Sequence, residues 1–130
     1  MQSFGRCTLN DDFLVTFYNV LTQSSDEIKA MFAHTDMPRQ RRLLRDALVH
    51  LISYASGNEF SRQRIEELGE SHNQTQLNVR PELYRIWVDS LVNAVRCHDE
   101  NCNPTLEAAW RRIAAPGIAV MQSRYLPAGR

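Results

Sequence analysis

The stretch LGESHNQTQLNVRPELY, Leu68 to Tyr84, decides how the chain is read. Leu68 stands four residues before His72, so on a helix the two side chains share a face. A polar run, NQTQLN, follows the histidine and lets the backbone turn away. Pro81 lies nine residues after His72 and can open the next helix, where its missing N–H costs nothing. The pattern sets an imidazole at a helix end, over an apolar space, with Tyr84 of the next helix able to face back toward it. A neutral imidazole so placed can ligate haem iron; a polar histidine beside a loop is the plainer reading.

Outward from that stretch the chain reads as helical throughout. It holds only five glycines, and no alternating strand pattern persists. TLNDDFLVTFYNVLTQSS is a first helix, with Thr8 or Asn10 as its cap and Phe13, Phe17, Val20 and Leu21 at helical spacing. DEIKAMF is a short second one ending near Phe32. Asp36 can cap the next, Pro38 suits its start, and Leu44, Ala47, Leu48 and Leu51 form its apolar stripe. Phe60 to Leu68 is a further short helix, closed by Gly69 or continuing to His72. Pro81 opens a long helix that is apolar on Leu83, Ile86, Trp87, Leu91, Val92 and Val95. Pro104 opens the last, in which Pro116 and Gly117 are expected to force a kink or an interruption. LPAGR, from Leu126, is a tail. This makes roughly six or seven unequal helices, without the symmetry of a regular bundle.

The 130 residues fit one domain spanning 1–130. Fifteen basic and fifteen acidic residues cancel, so no field attracts a polyanion and nucleic acid is not an expected partner. No apolar run suits a signal peptide or a bilayer span; no membrane association and a cytoplasmic location are expected. Three cysteines, Cys7, Cys97 and Cys102, do not suggest a disulfide framework. CHDENC brings His98 between two thiols, but a zinc site needs four ligands, and no second pair stands at ligand spacing. Cys97 is read instead on the buried face of a helix end, Cys102 in a loop, and Cys7 as a small apolar side chain.

Taken in order, FYNVL, MF, LGESH, VRPELY and AAW resemble the bacterial globins: the single-domain haemoglobins, the haem domains of flavohaemoglobins and the sensor globins. The resemblance runs from about Thr8 to Tyr125. It implies an all-α, globin-like fold with a shortened N-terminal helix and haem b as the cofactor. His72 matches the iron ligand, and Tyr18 the tyrosine that donates a hydrogen bond to bound oxygen. Phe32 matches the phenylalanine wedged against the haem, Leu68 an apolar proximal residue, and Val79 and Tyr84 residues lining the pocket. PRQRRLLRDAL offers a distal glutamine as Gln40 with Leu44; a register shifted by one offers Arg39 with Leu43, and Gln40 is preferred. His50 is read as partly exposed and too far along to be a distal ligand.

The implied function is reversible binding of a diatomic gas (oxygen, nitric oxide or carbon monoxide), for oxygen binding, transport or sensing. The alternatives are nitric oxide dioxygenation, which needs a separate reductase, and a haem-free interaction module. Flavohaemoglobins carry a late glutamate that bonds the proximal histidine. Its place falls near Tyr125 here, and no glutamate follows Glu107. That weakens the dioxygenase reading and leaves Tyr84 as a candidate to orient His72. The short N-terminus leads to the expectation of a homodimer.

Overall fold

The computed structural model describes residues 1–126. The last four residues of the expected tail, 127–130, lie outside that range. Among the described residues there are seven helices and no strand: α1 Gln2–Cys7, α2 Asp12–Ser24, α3 Asp26–Met31, α4 Met37–Ala55, α5 Glu59–Ser71, α6 Leu83–His98 and α7 Pro104–Ser123. None is long and apolar enough to cross a membrane.

Local chemistry sets the helix starts. The side chains of Ser25, Asp36, Asn58 and Asn103 accept from backbone N–H groups in the first turns of α3, α4, α5 and α7, satisfying donors that have no partner within the helix. Asn10 accepts from the N–H of Asp12 at 2.9 Å, although the residue flanking α2 is Asp11. Pro38 and Pro104 sit in first turns, as their fixed φ allows. Pro81 does not begin α6. It lies in the turn before Leu83, whose N–H bonds back to the Arg80 carbonyl.

The apolar faces then pack. α2 lies along α6, and α7 backs α4, α5 and α6. Phe13, Phe17, Leu48, Ile65, Leu91, Val92, Val95 and Trp110 form the most deeply buried part of the core. Six-residue α1 docks on α6 through a polar junction. Asp99, buried, accepts from Ser3 Oγ at 2.6 Å and from Arg6 Nε and Nη2 at 2.7 and 2.9 Å, while Trp110 Nε1 donates to Ser3 Oγ at 2.9 Å. The Arg6 guanidinium beside it holds the Asp99 carboxyl well below the usual carboxylate range.

Two expectations are corrected. Cys97 is exposed: the buried face of α6 runs through Leu91, Val92 and Val95 toward Asp99 just past the helix end, and Cys97 falls between its rows. Cys7 is buried and Cys102 half-buried in the α6–α7 loop. The last helix also runs on through Pro116 and Gly117, so of the expected kink or interruption the interruption does not occur. Gly117 serves packing rather than a break. A Cβ there would stand 2.2 Å from Leu51 Cδ2 and 3.3 Å from Ile65 Cδ1, so its absence lets α7 approach α4 and α5.

That contact yields a paired prediction. Alanine gains about 1 kcal/mol over glycine in a helix, whereas overpacking a filled core costs about 1–3 kcal/mol. The Leu51 Cδ2 in that space must be displaced, so Gly117→Ala should be net destabilising, by up to about 2 kcal/mol. Gly5→Ala in α1, where nothing lies within 4 Å of the new Cβ, should stabilise by about 0.5–1 kcal/mol. Urea unfolding of the two variants checks the opposed signs; a stabilised Gly117→Ala would refute the packing account.

Candidate functional site

Between α4 and α5, and reaching α2, α3, α6 and α7, lies a cavity of about 670 Å³. That size suits a small-molecule or cofactor pocket. Its lining includes all eight residues singled out from the sequence: Tyr18, Phe32, Gln40, Leu44, Leu68, His72, Val79 and Tyr84. They come from five separate parts of the chain, and the fold gathers them around one space.

His72 stands at the C-terminal end of α5, where its backbone N–H still bonds to the Leu68 and Gly69 carbonyls. Its ring Nδ1 lies 2.6 Å from the Leu68 carbonyl oxygen and 2.9 Å from Ser71 Oγ. A carbonyl only accepts, so Nδ1 must carry the proton, and the lone pair is then on Nε2. Nε2 makes no hydrogen bond to any described residue. Burial pushes the imidazole pKa down, against a smaller upward effect of the Leu68 hydrogen bond. The neutral ring is therefore favoured, in a residue that lines the cavity.

Tyr18 is buried on α2, edge-on to Phe17 at 5.0 Å and to Phe32 at 5.4 Å between centroids. Gln40 Nε2 donates to its phenolic oxygen at 3.1 Å. Since the amide N–H₂ can only donate, the phenol hydrogen stays available to point elsewhere. Burial raises the Tyr18 pKa to about 12, so the phenol keeps that hydrogen. Of the two registers considered for α4, Gln40 reaches Tyr18, while Arg39 is exposed and absent from the lining. Leu43 and Leu44 both line the cavity.

Tyr84 does not orient His72. Nδ1 already has its acceptors, and the Tyr84 hydroxyl, raised to about 12 by burial, makes no hydrogen bond among the described residues. His50 is half-buried, with Nδ1 3.2 Å from Ser61 Oγ, yet it also lines the cavity. Sequence reasoning set it aside as a distal ligand and did not place it in the wall. The signal was present, because Leu43, Ala47 and His50 follow one another at helical spacing. Met121 and Ile118 of α7 were missed as lining residues because only the packing of α7 on α4 and α5 brings them there.

The donor set bears on what metal could be held. Among the described residues no group of three or more His, Cys, Asp or Glu is gathered to hold an ion. A single free imidazole nitrogen suits instead an axial position on an iron whose other ligands come with it. The lining is mostly apolar, with Thr35, Asp46, Arg64, Glu67 and Ser71 among its polar members, and suits a flat, largely apolar macrocycle that carries some polar substituents.

A fold of this kind, helices closed around a largely apolar cavity with a histidine of the helix end at its wall, defines a globin. The crystal structure of a Pseudomonas aeruginosa protein described as structurally highly homologous to human hemoglobin matches it, with a TM-score of 0.91 and 43% sequence identity over 96% of this chain and 94% of that one. The chain belongs to the bacterial globins. No family model and no curated protein matches it.

Proposed function

We propose that this globin binds haem b through His72 and reversibly binds a diatomic gas beside Tyr18. The observation that carries the reading is His72, whose Nε2 has no hydrogen-bond partner among the described residues, on the wall of a cavity that also holds a hydrogen-bonded Tyr18–Gln40 pair. When bound, haem supplies an iron able to take oxygen, nitric oxide or carbon monoxide. The protein's own part is to keep His72 neutral and oriented through Leu68 and Ser71, to exclude bulk water with Phe32, Leu44, Leu68 and Val79, and to present the Tyr18 hydroxyl as a donor. Gln40 holds that hydroxyl in place by donating to its oxygen.

Absorption spectra of the ferric, ferrous and carbonyl forms after haem addition test the proposal. A featureless visible spectrum would remove it. For Tyr18→Phe, loss of a single hydrogen bond of about 1.4 kcal/mol should raise the oxygen dissociation rate about tenfold, with carbon monoxide much less affected because its bound form accepts a weaker hydrogen bond. Flash photolysis and stopped-flow mixing give both rates, and equal effects on the two gases would argue against donation by Tyr18.

A further inference from the structure

α4 carries a stripe of arginines that the fold leaves without partners. Arg39, Arg42 and Arg45 follow one another at three-residue spacing, so they share the outer face of the helix, and all three are exposed. Neither they nor Arg41 beside them form an ion pair among the described residues, although seven arginines outside α4 each do. Arg41 also keeps a buried Nε without a hydrogen-bond partner there. Two aspartates bracket the run and pair with none of it. Asp36 turns its carboxylate to the Arg39 backbone N–H as the helix cap, at 3.2 Å, and Asp46 is exposed at the other end. The arrangement works against the helix. Like charges three or four residues apart repel, and Arg39 stands in the first turn, at the positive end of the dipole. These arginines are not there to hold α4 together.

What the stripe adjoins gives it a use. Gln40, Leu44 and Ala47 of the same helix line the cavity, and Leu43, four residues after Arg39, lines it while half exposed. Arg39, Arg42 and Arg45 do not line it. α4, about 10–12 Å across with its side chains, is thus the layer between the cations and the cavity. Oxygen and carbon monoxide bind ferrous iron, so an iron held at His72 must be given an electron whenever it turns ferric.

We infer that the outer face of α4, with Arg39, Arg42 and Arg45 around Leu43, docks a separate acidic iron–sulfur protein that donates one electron at a time; the inference rests on the haem reading above. One electron leaves the donor's reduced cluster, which is oxidised, and ferric iron becomes ferrous; no atom is transferred and no covalent bond forms or breaks. The unpaired cations steer an acidic face to the helix, and a small polar contact lets the donor leave afterwards.

The test uses full-length holoprotein and a plant-type [2Fe–2S] ferredoxin as the acidic donor. Calorimetry with oxidised ferredoxin gives binding; stopped-flow mixing of ferric holoprotein with reduced ferredoxin under carbon monoxide gives the rate of reduction. Arg39→Gln/Arg42→Gln/Arg45→Gln should weaken binding and slow reduction, each about tenfold at low salt, the low end of what electrostatic steering supplies. Both differences should vanish near about 0.5 M sodium chloride. Reduced methyl viologen, a small cation that needs no docking face, should reduce wild type and variant at like rates. Arg85→Gln/Arg111→Gln/Arg112→Gln removes the same charge from α6 and α7 and should stay near wild type. Relief of repulsion should let the α4 variant melt at or above the wild-type temperature; a lower melting temperature would give the arginines a structural role and overturn the inference. Ferredoxin that does not bind wild type, or equal losses in the two triple variants, would overturn it too. So would holoprotein that ignores ferredoxin but sediments with phosphatidylserine vesicles through these arginines, since the face would then belong to a membrane. A wild-type chain that takes up no haem would overturn the haem reading, and this inference with it; wild type that holds haem but is reduced by ferredoxin no faster than the α4 variant overturns the inference alone.

Discussion

Replacing His72 with alanine should leave a chain that either purifies without haem or shows a grossly altered Soret band, with affinity for haem reduced by well over about 100-fold. The basis is that His72 is the lining imidazole whose tautomer is set by a backbone carbonyl, which leaves the lone pair on Nε2. His50, the other histidine at the cavity, has its Nδ1 beside Ser61 and stands more than two turns beyond Gln40 on α4. Tyr18 and Tyr84 are held as neutral phenols by burial. His72→Ala should also remove a pH dependence. The folded His72 pKa lies below its ordinary value of 6.5, so below that pH the unfolded chain binds more protons than the folded one. Stability therefore rises with pH through this window, is fully present above about 6.5, and is lost as pH falls toward the folded pKa. Urea unfolding of apoprotein between pH 5 and 7.5 should show that slope in wild type and a smaller one in the variant. Haem content unchanged by the substitution would exclude His72 as the ligand.

How far the sequence reaches depends on how local the cause is. The caps Asp36 and Asn103, the prolines after them and the stripe through Leu44, Leu48 and Leu51 are neighbours in sequence, and their consequences are legible there. The eight cavity residues were found through the order and spacing of motifs rather than through any one residue's environment. What could not be read depends on pairs far apart in the chain. Ser3 and Arg6 reach Asp99, giving six-residue α1 a fixed seat that its length does not suggest. Gly117 next to a proline looks like a helix break until Leu51 is seen to occupy the space a Cβ would need. The Tyr84 case is similar: spacing allows it to face His72, but the imidazole N–H had already been taken by Leu68, four residues earlier.

Phe17→Ala should cause the largest loss of stability, about 3–5 kcal/mol. Phe17 has no exposed surface and lies where α2 packs along α6. Its ring is edge-on to Tyr18 at 5.0 Å and to Trp87 at 5.5 Å, contacts that add to the burial itself. Phe17→Leu keeps most of the volume and should cost only about 1 kcal/mol. Urea midpoints of the apoproteins at unchanged slope separate the two, because an altered slope would instead report a changed denatured or native compactness. A loss below about 1.5 kcal/mol for the alanine variant would mean that α2 and α6 close over the gap. The same residue links the core to the site, since Tyr18 and Trp87 both line the cavity while Phe17 does not. With the ring gone, Tyr18 keeps its bond from Gln40 but loses the wall behind it. In Phe17→Ala that retains haem, the oxygen dissociation rate should therefore move in the direction of Tyr18→Phe, whereas Phe17→Leu should leave it near wild type. A stability loss with no change in that rate would show that Gln40 and Phe32 suffice to place the phenol, and that the core beneath it carries the fold without carrying the site.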